Sequence, residues 1–397
     1  MSNQSEAATL QAIQERMQWY VDQNRIPCCR YILAKSGRLL DSQCIGYIDE
    51  ARQLPLTNEA IFRIYSNTKL ITSVAVMLLV ERGLIQLDAP IADLCSKFSS
   101  LRVLRPNATS VEQTEALKVP LTLRHLLSHT AGFSYGFVDP DTLIDREYLN
   151  RGFNLLQPYA GNLSHFVEGI LEMPLAFQPG TGWRYSVATD IVGYIIELVT
   201  GQSLDRFLRE QLFEPLGMSD TGFCVPHEKR HHIVELLQAA DMYRPKETGY
   251  LSQPFATFLP ITSPPNFLSG GGGLFSTAED YLTFLQMLQA QGQWLGEQII
   301  QPQTLQLMRQ DQLPSGVRMT FPMWSLPDVG FGLGLALKPA LIDSAGQSPC
   351  FFWGGMAGTH CWVFDNGIVG LCMTQMMPSF LHPFSSDFHR LASQLHD

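Results

Sequence analysis

The chain has 397 residues and a formal net charge of −10, and charged residues make up only 16% of it, against roughly 25% in an average soluble domain. Hydrophobic residues account for 45%, which excludes a disordered composition and allows a large core. The acidic balance, without a dense run of lysine or arginine, argues against a nucleic-acid partner. The longest apolar run, 70–80, is about half of what a membrane-spanning helix needs, so no membrane partner is expected.

The N-terminal region is predicted to begin with a helix and a β-hairpin. Residues 7–23 have the amphipathic pattern of a helix that ends before Pro27. Two β-rich runs follow at 29–34 and 39–46, and the four residues between them include Gly37. Because a short glycine-containing link between two such runs indicates a hairpin, we expect these strands to pair with each other.

The middle of the chain is predicted to be mostly helical. Helical patterns occur at 67–82, 121–129, 187–199, 203–211 and 278–291. The first of these helices is apolar on all sides between residues 70 and 80, so it should be buried, and Gly83 provides its C-terminal stop. Segments 104–120 and 241–266, the second rich in proline, are predicted to be loops.

β signals return near the C-terminus. They lie at 331–337, 360–364 and 368–373, and the sequence Asp365-Asn366-Gly367 between the last two is a strong turn signal. A hairpin at one end of the chain and a meander at the other predict one antiparallel sheet that is built from both termini and flanked by helices. The predicted fold class is therefore α+β, with a mostly helical middle region.

Ser66-Asn67-Thr68-Lys69 is an S-x-x-K pattern at the start of the predicted buried helix. The i, i+3 spacing places Ser66 and Lys69 on the same helix face. The helix dipole and the desolvation of a buried helix both favour a neutral lysine, which makes Lys69 a candidate base. The alternative interpretation is that Ser66 caps the helix and Lys69 extends to solvent.

Gly132-Phe133-Ser134-Tyr135-Gly136 has the G-x-S-x-G pattern that forms a nucleophile elbow between a strand and a helix in α/β-hydrolases. Here a helix-like segment precedes the pattern, and Asp139-Pro140 follows it. Since both the strand and the helix of the elbow are missing, we interpret Ser134 as a loop residue and not as a nucleophile.

His227-Glu228-Lys229-Arg230-His231 is an H-E-x-x-H pattern, in which two histidines on one helix face can bind zinc. Lys229 and Arg230 would place positive charge beside the metal ion. We therefore predict a solvated turn of a surface helix and no metal site, and the sequence suggests no other cofactor.

The segment Ser269-Gly270-Gly271-Gly272-Gly273 is rich in glycine, but a phosphate-binding loop would continue with a lysine and a serine or threonine. Instead, a capping-box sequence follows at 276–279. We predict a tight backbone turn beside a cleft, and not a nucleotide site.

The residues around the S-x-x-K pattern resemble the serine β-lactamase-related hydrolases, which include class C β-lactamases, D-amino-acid peptidases and, above all, the family VIII carboxylesterases. The matching stretches are FRIYSNTKLITSVAVMLLVERGLIQLDAPI at 62–91, LTLRHLLSHTAGF at 121–133, PGTGWRYSVATDIVGYIIELVTG at 179–201, LFEPLGMSDTGF at 212–223, SGGGGLFSTAEDY at 269–281 and FGLGLAL at 331–337. The resemblance covers nearly the whole chain and implies a β-lactamase/transpeptidase-like fold.

The resemblance also implies a catalytic trio. Ser66 matches the nucleophile of S-x-x-K, and Lys69 matches its base partner. Tyr185 matches the tyrosine of the family's Y-x-N motif. Which of Lys69 and Tyr185 accepts the first proton stays open at this point, because coupled groups share their titration.

A third family motif matches Trp353, Gly354 and Gly355. It reads K-T-G in β-lactamases and often W-G-G in the esterases, and the resemblance places it on an edge strand beside the nucleophile. The backbone N–H of Met356, just after the motif, would join that of Ser66 to form an oxyanion hole.

Two positions depart from the β-lactamase pattern. Val187 stands where an asparagine would bind the acylamino arm of a β-lactam, and Trp353 stands where a cation would meet the substrate carboxylate. Both departures count against penicillin-like substrates and favour neutral, apolar esters.

These observations predict a serine hydrolase that cleaves small-molecule carboxylic esters through an acyl-serine intermediate. β-Lactamase action, D-amino-acid peptidase action or acyl transfer on the same fold are alternatives. A non-catalytic protein that binds a peptide or a cell-wall fragment is the alternative from another class.

The resemblance further implies one catalytic domain over 1–397. A sheet lobe would span about 7–100 and 267–397, and a helical lobe about 101–266. The eight cysteines form no C-x-x-C pair, and the first twenty residues lack the apolar core of a signal peptide. We therefore expect a reduced, cytoplasmic protein, while the sequence leaves its oligomeric state open.

Overall fold

The computed structural model describes residues 3–153, 159–241, 248–255, 265–321, 324–325, 328–339, 348–379 and 381–395. The α-helices in these parts of the chain are α1 (Asn3–Asp22), α2 (Thr68–Glu81), α3 (Leu123–Leu127), α4 (Leu143–Asn150), α5 (Leu163–Leu171), α6 (Ala188–Thr200), α7 (Leu204–Leu208), α8 (Glu214–Leu216), α9 (Ala278–Gln289), α10 (Pro302–Met308) and α11 (Phe384–Ala392). The predicted helices of the middle region are thus present.

The strands of the described residues are β1 (Cys28–Lys35), β2 (Arg38–Gly46), β3 (Ile61–Arg63), β4 (Arg102–Leu104), β5 (Thr114–Ala116), β6 (Leu237–Ala239), β7 (Tyr250–Pro254), β8 (Phe275–Thr277), β9 (Gln293–Trp294), β10 (Glu297–Gln298), β11 (Thr320–Phe321), β12 (Trp324–Ser325), β13 (Gly330–Phe331), β14 (Ala336–Lys338), β15 (Cys350–Gly355), β16 (Thr359–Phe364), β17 (Ile368–Met373) and β18 (Met376–Met377). The largest sheet, with seven strands, has the order β13-β14-β15-β16-β17-β1-β2.

The N-terminal hairpin completes the sheet that the C-terminal meander begins. β1 pairs antiparallel with β17, and Arg30 lies opposite Met373. β1 also pairs with β2 across a two-residue turn in which Ser36 and Gly37 have φ angles of 48° and 81°, the positive values that tight hairpin turns require. The prediction of an α+β fold with one antiparallel sheet built from both termini is confirmed.

Helices cover both faces of this sheet. On one face, Met17 of α1 and Phe388 of α11 are fully buried in a cluster with Tyr31 of the sheet. On the other face, α9 packs against β1, β16 and β17. Behind it, all residues of α2 from 68 to 79 are buried, and α6 packs along α2. Each fully buried Leu or Ile contributes about 1.5–3 kcal/mol to stability. The burial of α2 is therefore a large part of the stability of the core, as its apolar sequence predicts.

The predicted strand at 331–337 is wrong, because the chain turns within it. β13 and β14 pair as a hairpin, with Gly332 and Gly334 between them. Gly334 has a φ of 88°, and a Cβ on Gly332 would lie 2.1 Å from the backbone oxygen of Met308. The alternating sequence FGLGLAL imitates a strand, whereas its glycines permit the turn and a close backbone approach.

The predicted loops also contain strands. Within 104–120, Thr114–Ala116 pairs with Arg102–Leu104. Within 241–266, Tyr250–Pro254 pairs with Leu237–Ala239, while 242–247 and 256–264 lie outside the described residues. These strands have three to five residues and mix polar with apolar side chains, so the sequence shows no extended β-branched or alternating pattern to predict them.

The eight cysteines are all free thiols, and burial raises the pKa of Cys28 and of Cys361 to about 12. These two thiols are therefore protonated at neutral pH. No helix among the described residues combines the length and the apolar character needed to cross a bilayer. The cytoplasmic location stays a prediction.

Two buried histidines at the α11 side of the sheet should make the protein sensitive to acid. Desolvation lowers the pKa of His382 to about 4 and that of His389 to about 3, whereas an unfolded chain titrates near pH 6.5. The unfolded state therefore binds more protons below about pH 6.5, so stability is lost as the pH falls through this range. We expect the free energy of unfolding to drop by about 2 kcal/mol per histidine between about pH 7.5 and pH 5.

Urea unfolding at these two pH values measures the effect. His389→Gln removes one histidine with a lowered pKa, so its unfolding free energy should depend less on pH than that of the wild type. An equal pH dependence in both proteins would contradict this account.

Candidate active site

Ser66 lies in a single 3₁₀ turn, Tyr65–Asn67, that leads directly into α2. Tyr65 has a φ of 44°, a left-handed conformation that is strained for an aromatic residue. The turn is attached to β16, because Thr359 Oγ1 donates to the Ile64 carbonyl at 3.0 Å and Asn67 Nδ2 donates to the Thr359 carbonyl at 3.0 Å. The sheet and the buried helix together therefore fix the position of Ser66.

Lys69 lies one turn along α2 from Ser66 and is only 2% exposed. Its Nζ donates to the Gly271 carbonyl at 2.6 Å, to the Tyr135 hydroxyl at 3.0 Å and to Ser66 Oγ at 3.4 Å. It also lies 4.7 Å from the centre of the Tyr185 ring. The side chain thus points into the protein, and the alternative in which it extends to solvent is wrong.

Tyr185 reaches the same serine from the segment just before α6. Its hydroxyl donates to Ser66 Oγ at 2.7 Å, and the residue is 7% exposed. Its ring is enclosed by those of His129, Trp353 and Phe321, with centroid distances of 4.9, 5.5 and 5.5 Å. The structure therefore brings all three predicted catalytic side chains, Ser66, Lys69 and Tyr185, together.

The third predicted motif lies on β15, which is an internal strand of the sheet, so its expected place on an edge strand is wrong. However, the pairing of β14 with β15 ends at Phe352, and the segment from Trp353 to Met356 continues beyond it. A Cβ on Gly355 would lie 2.3 Å from the Ile64 carbonyl oxygen. Glycine at this position thus lets the strand approach the backbone of the Ser66 turn.

The two positions that depart from the β-lactamase pattern are both buried. Val187 is fully buried at the N-terminus of α6 and presents only a hydrocarbon side chain. Trp353 is 7% exposed and lines the cavity beside Ser66, and its Nε1 has no hydrogen-bond partner among the described residues. Neither side chain can form an ion pair with a substrate carboxylate.

A cavity of about 360 Å³ opens onto Ser66 and Tyr185. Much of its wall is apolar or aromatic and is formed by Phe137, Val138, Phe321, Phe352, Trp353 and Trp362. Among the described residues that line it, Lys338 is the one lysine or arginine, and none is an acid. Burial lowers the pKa of His360, which also lines it, to about 4, so this imidazole is neutral. The site is shaped for a ligand with an apolar body and no positive charge.

Ser134 of the G-x-S-x-G pattern is fully buried in a polar network away from the cavity. It donates to Asp145 and accepts a bond of 2.6 Å from Arg184 Nε, and Arg184 also bonds Asp145 at 2.7 Å. α3 ends at Leu127 before the pattern, so the structure has helix and loop there, as predicted. The serine hydroxyl therefore forms hydrogen bonds with a buried ion pair and does not face the cavity.

The H-E-x-x-H segment forms a 3₁₀ helix, His227–His232, at the surface, as the predicted solvated turn of a surface helix requires. None of its residues is buried, and Lys229 bonds Asp220. Over the described ranges, no group of three or more His, Cys, Asp or Glu side chains is arranged to hold a metal ion.

The glycine-rich segment forms the predicted tight turn, since the N–H groups of Gly272 and Gly273 both bond the Ser269 carbonyl, at 3.3 and 2.9 Å. β8 then pairs with β3, and this pairing brings the turn against the start of α2. The Gly271 carbonyl consequently meets Lys69, a contact that the sequence analysis missed.

Tyr135 and Asp190 were missed as well, although both left a signal. Tyr135 directly follows the serine of G-x-S-x-G, a pattern that marks only the serine as a candidate. Asp190 is an acid in the first turn of α6, a helix rich in apolar residues, and it is fully buried. A charged residue in a buried helix indicates a partner inside the protein.

The antiparallel sheet, the buried helix that carries Ser66 and Lys69, and the cavity beside them define a serine hydrolase of the β-lactamase/transpeptidase-like fold. The chain belongs to the β-lactamase family, whose sequence profile matches residues 10–392.

Relatives with assigned activities match along most of the chain. Esterase EstB of Burkholderia gladioli is 30% identical over 352 residues, which cover 85% of this chain and 82% of EstB. Monacolin J acid methylbutanoyltransferase of Aspergillus terreus is 31% identical over 307 residues, 75% of this chain and 70% of that enzyme. The structure of EstCE1, a hydrolase with promiscuous acyltransferase activity, has a TM-score of 0.79 at 24% identity and covers 98% of this chain and 99% of its own. The last comparison shows a shared fold.

Proposed function

We propose that the protein hydrolyses small carboxylic esters through an acyl-Ser66 intermediate. The observation that carries the proposal is the position of Ser66 Oγ at the cavity wall, 2.7 Å from the Tyr185 hydroxyl and 3.4 Å from Lys69 Nζ. A serine hydroxyl needs such an adjacent base to act as a nucleophile. The relationship to an enzyme named esterase, at 30% identity, supports this reaction class.

In the first step, Ser66 Oγ bonds to the ester carbonyl carbon while its proton passes to the pair formed by Lys69 and Tyr185. The carbon–oxygen bond to the alcohol then breaks, and Tyr185 returns the proton to the departing alkoxide. Backbone N–H groups of Ser66 and Met356 would hold the oxyanion, each worth about 3–4 kcal/mol. In the second half of the reaction, water gives a proton to the same pair and its oxygen bonds to the acyl carbon. The bond to Ser66 Oγ then breaks, the proton returns to Oγ, and the acid is released.

Acyl transfer to an alcohol is the second candidate function. It uses the same acyl-Ser66 intermediate, and an alcohol replaces water in the second step. The apolar cavity of about 360 Å³ has room for such an acceptor, and a relative of 31% identity is named as a methylbutanoyltransferase. A competition between water and added alcohols, with both products quantified, distinguishes hydrolysis from transfer.

Short-chain p-nitrophenyl esters should be turned over much faster than nitrocefin or penicillin G. A β-lactam would bring its carboxylate against the indole of Trp353, and its acylamino arm would find no side-chain amide, because position 187 is a fully buried valine. Each buried polar group without a partner costs about 1–3 kcal/mol, and more when it is charged. Together these costs lower kcat/KM for β-lactams by several orders of magnitude relative to a true β-lactamase.

The measurement is kcat/KM for both substrate classes on one preparation, with Ser66→Ala as the blank. A short ester carries neither of the two polar groups and loses nothing at these positions. A β-lactam value equal to or above the ester value would overturn the esterase proposal and favour the β-lactamase alternative.

A further inference from the structure

Asp190 is a buried carboxylate to which the reaction described above assigns no role. It is fully buried in the first turn of α6. Its Oδ1 accepts hydrogen bonds from Ser269 Oγ at 2.6 Å and from the Gly271 N–H at 3.0 Å. No described lysine or arginine side chain bonds it directly. Because a buried carboxylate without a bonded cation is costly, a compensating charge nearby is expected.

The same peptide segment connects Asp190 to Lys69. Gly271 donates its N–H to Asp190, and its carbonyl accepts from Lys69 Nζ at 2.6 Å. An added Cβ on Gly271 would lie 2.6 Å from Asp190 Oδ2 and 3.0 Å from the Tyr135 hydroxyl oxygen. Tyr135 in turn accepts from Lys69 Nζ at 3.0 Å. Two of the three acceptors of Lys69 therefore lie beside the carboxylate.

The electrostatic interaction between Asp190 and Lys69 also connects the two residues. Burial raises the pKa of the Asp190 carboxyl, and the charge of Lys69 opposes this rise. The titratable groups that face Lys69 are His129 and Tyr135 from the segment after α3, and Tyr185 and Asp190 from around the start of α6. Of these, Asp190 is the one carboxyl group.

We propose that Asp190 is a positioning residue, which holds Lys69 in place through Gly271 and whose negative charge stabilises the protonated lysine. This inference rests on the proposed role of Lys69. Asp190 does not touch the substrate or Ser66. Its geometric effect is to keep the Gly271 carbonyl directed at Nζ, and its electrostatic effect is to place a counter-charge near Nζ.

The test is Asp190→Asn, which keeps the size of the side chain and removes its charge. We expect kcat/KM for a neutral p-nitrophenyl ester to fall by about 10- to 100-fold, because small displacements of a base have effects of this size. We also expect the acidic midpoint of the pH–rate profile to move to lower pH, since the protonated lysine loses a counter-charge. A midpoint equal to that of the wild type would overturn the electrostatic role.

The matched control is Asp145→Asn, which removes the other fully buried carboxylate described above. Asp145 bonds Arg184 and has no contact with Lys69. We expect this variant to be less stable but to keep the wild-type midpoint. If the midpoint moves equally in both variants, the shift is a general consequence of a disturbed fold and the proposal is wrong.

A second variant tests the positioning role of Asp190 if Asp190→Asn does not fold. Ser269→Ala removes one of the two hydrogen bonds on Oδ1, so kcat should fall by about tenfold while KM changes little. A wild-type kcat in Ser269→Ala would overturn the positioning role. Ester turnover that persists in Ser66→Ala would instead overturn the proposed function, so the two failures can be distinguished.

Discussion

Replacing Ser66 by alanine is expected to lower the turnover of p-nitrophenyl esters by about 10³-fold or more and to abolish covalent labelling by a fluorophosphonate probe. Without Oγ there is no atom between Tyr185 and Lys69 that can form the acyl-enzyme. The remaining N–H groups can only stabilise attack by water. Initial rates and probe labelling, measured on the same folded preparation, check this expectation.

The matched control is Ser134→Ala, because Ser134 belongs to a motif that marks nucleophiles in other hydrolases. It bonds Asp145 and Arg184 in a buried network and does not line the cavity. The variant should therefore lose stability and keep most of its activity and labelling. If Ser134→Ala is the inactive variant, the assignment of the site is wrong. If the wild type is not labelled, the alternative of a non-catalytic binding protein gains support.

The sequence predicted the sheet and the buried helix α2 because these elements have strong local signals. α2 is apolar on every side, and the hairpin at 35–38 contains a glycine where a positive φ is needed. The contribution of both chain ends to one sheet also followed from the positions of the β signals. The division into a sheet lobe and a helical lobe stays a prediction.

The surroundings of Lys69 could not be predicted, because they depend on contacts between distant segments. Its acceptors, Tyr135 and Gly271, lie 66 and 202 positions away in sequence. The glycine-rich turn was expected beside a cleft, but only the pairing of β3 with β8 shows that it faces this lysine. Hydrogen bonds of this kind leave no periodic pattern in a single sequence.

Replacing Lys69 by methionine should remove most of the turnover while the protein stays folded. The substitution keeps an unbranched apolar side chain in a buried position and removes the amine that bonds Ser66. Loss of a positioned base typically lowers rates by about 10²- to 10⁴-fold. Lys97→Met is the matched control, because Lys97 pairs with Glu168 on the surface and its side chain is 54% exposed. That variant should have wild-type activity.

Two titratable neighbours of Lys69 can be excluded as the group whose protonation controls the rate. Burial raises the pKa of Tyr135 well above 10, so it stays protonated and cannot act as a phenolate base. Burial and the charge of Lys69 lower the pKa of His129 well below 6.5, so it is neutral. This leaves Lys69 and Tyr185, whose polar atoms contact Ser66 Oγ, as the candidates for the base.

Because a general base must be unprotonated to accept the proton of Ser66, we expect the wild-type rate to rise with pH. The residual activity of Lys69→Met should lack this acidic limb, because the amine that carries the proton is gone. Profiles of kcat/KM against pH for the wild type and the two lysine variants provide the measurement. A Lys69→Met variant with wild-type kcat would reduce Lys69 to a packing residue. An unchanged acidic limb at a lower rate would instead assign that titration to a group other than Lys69.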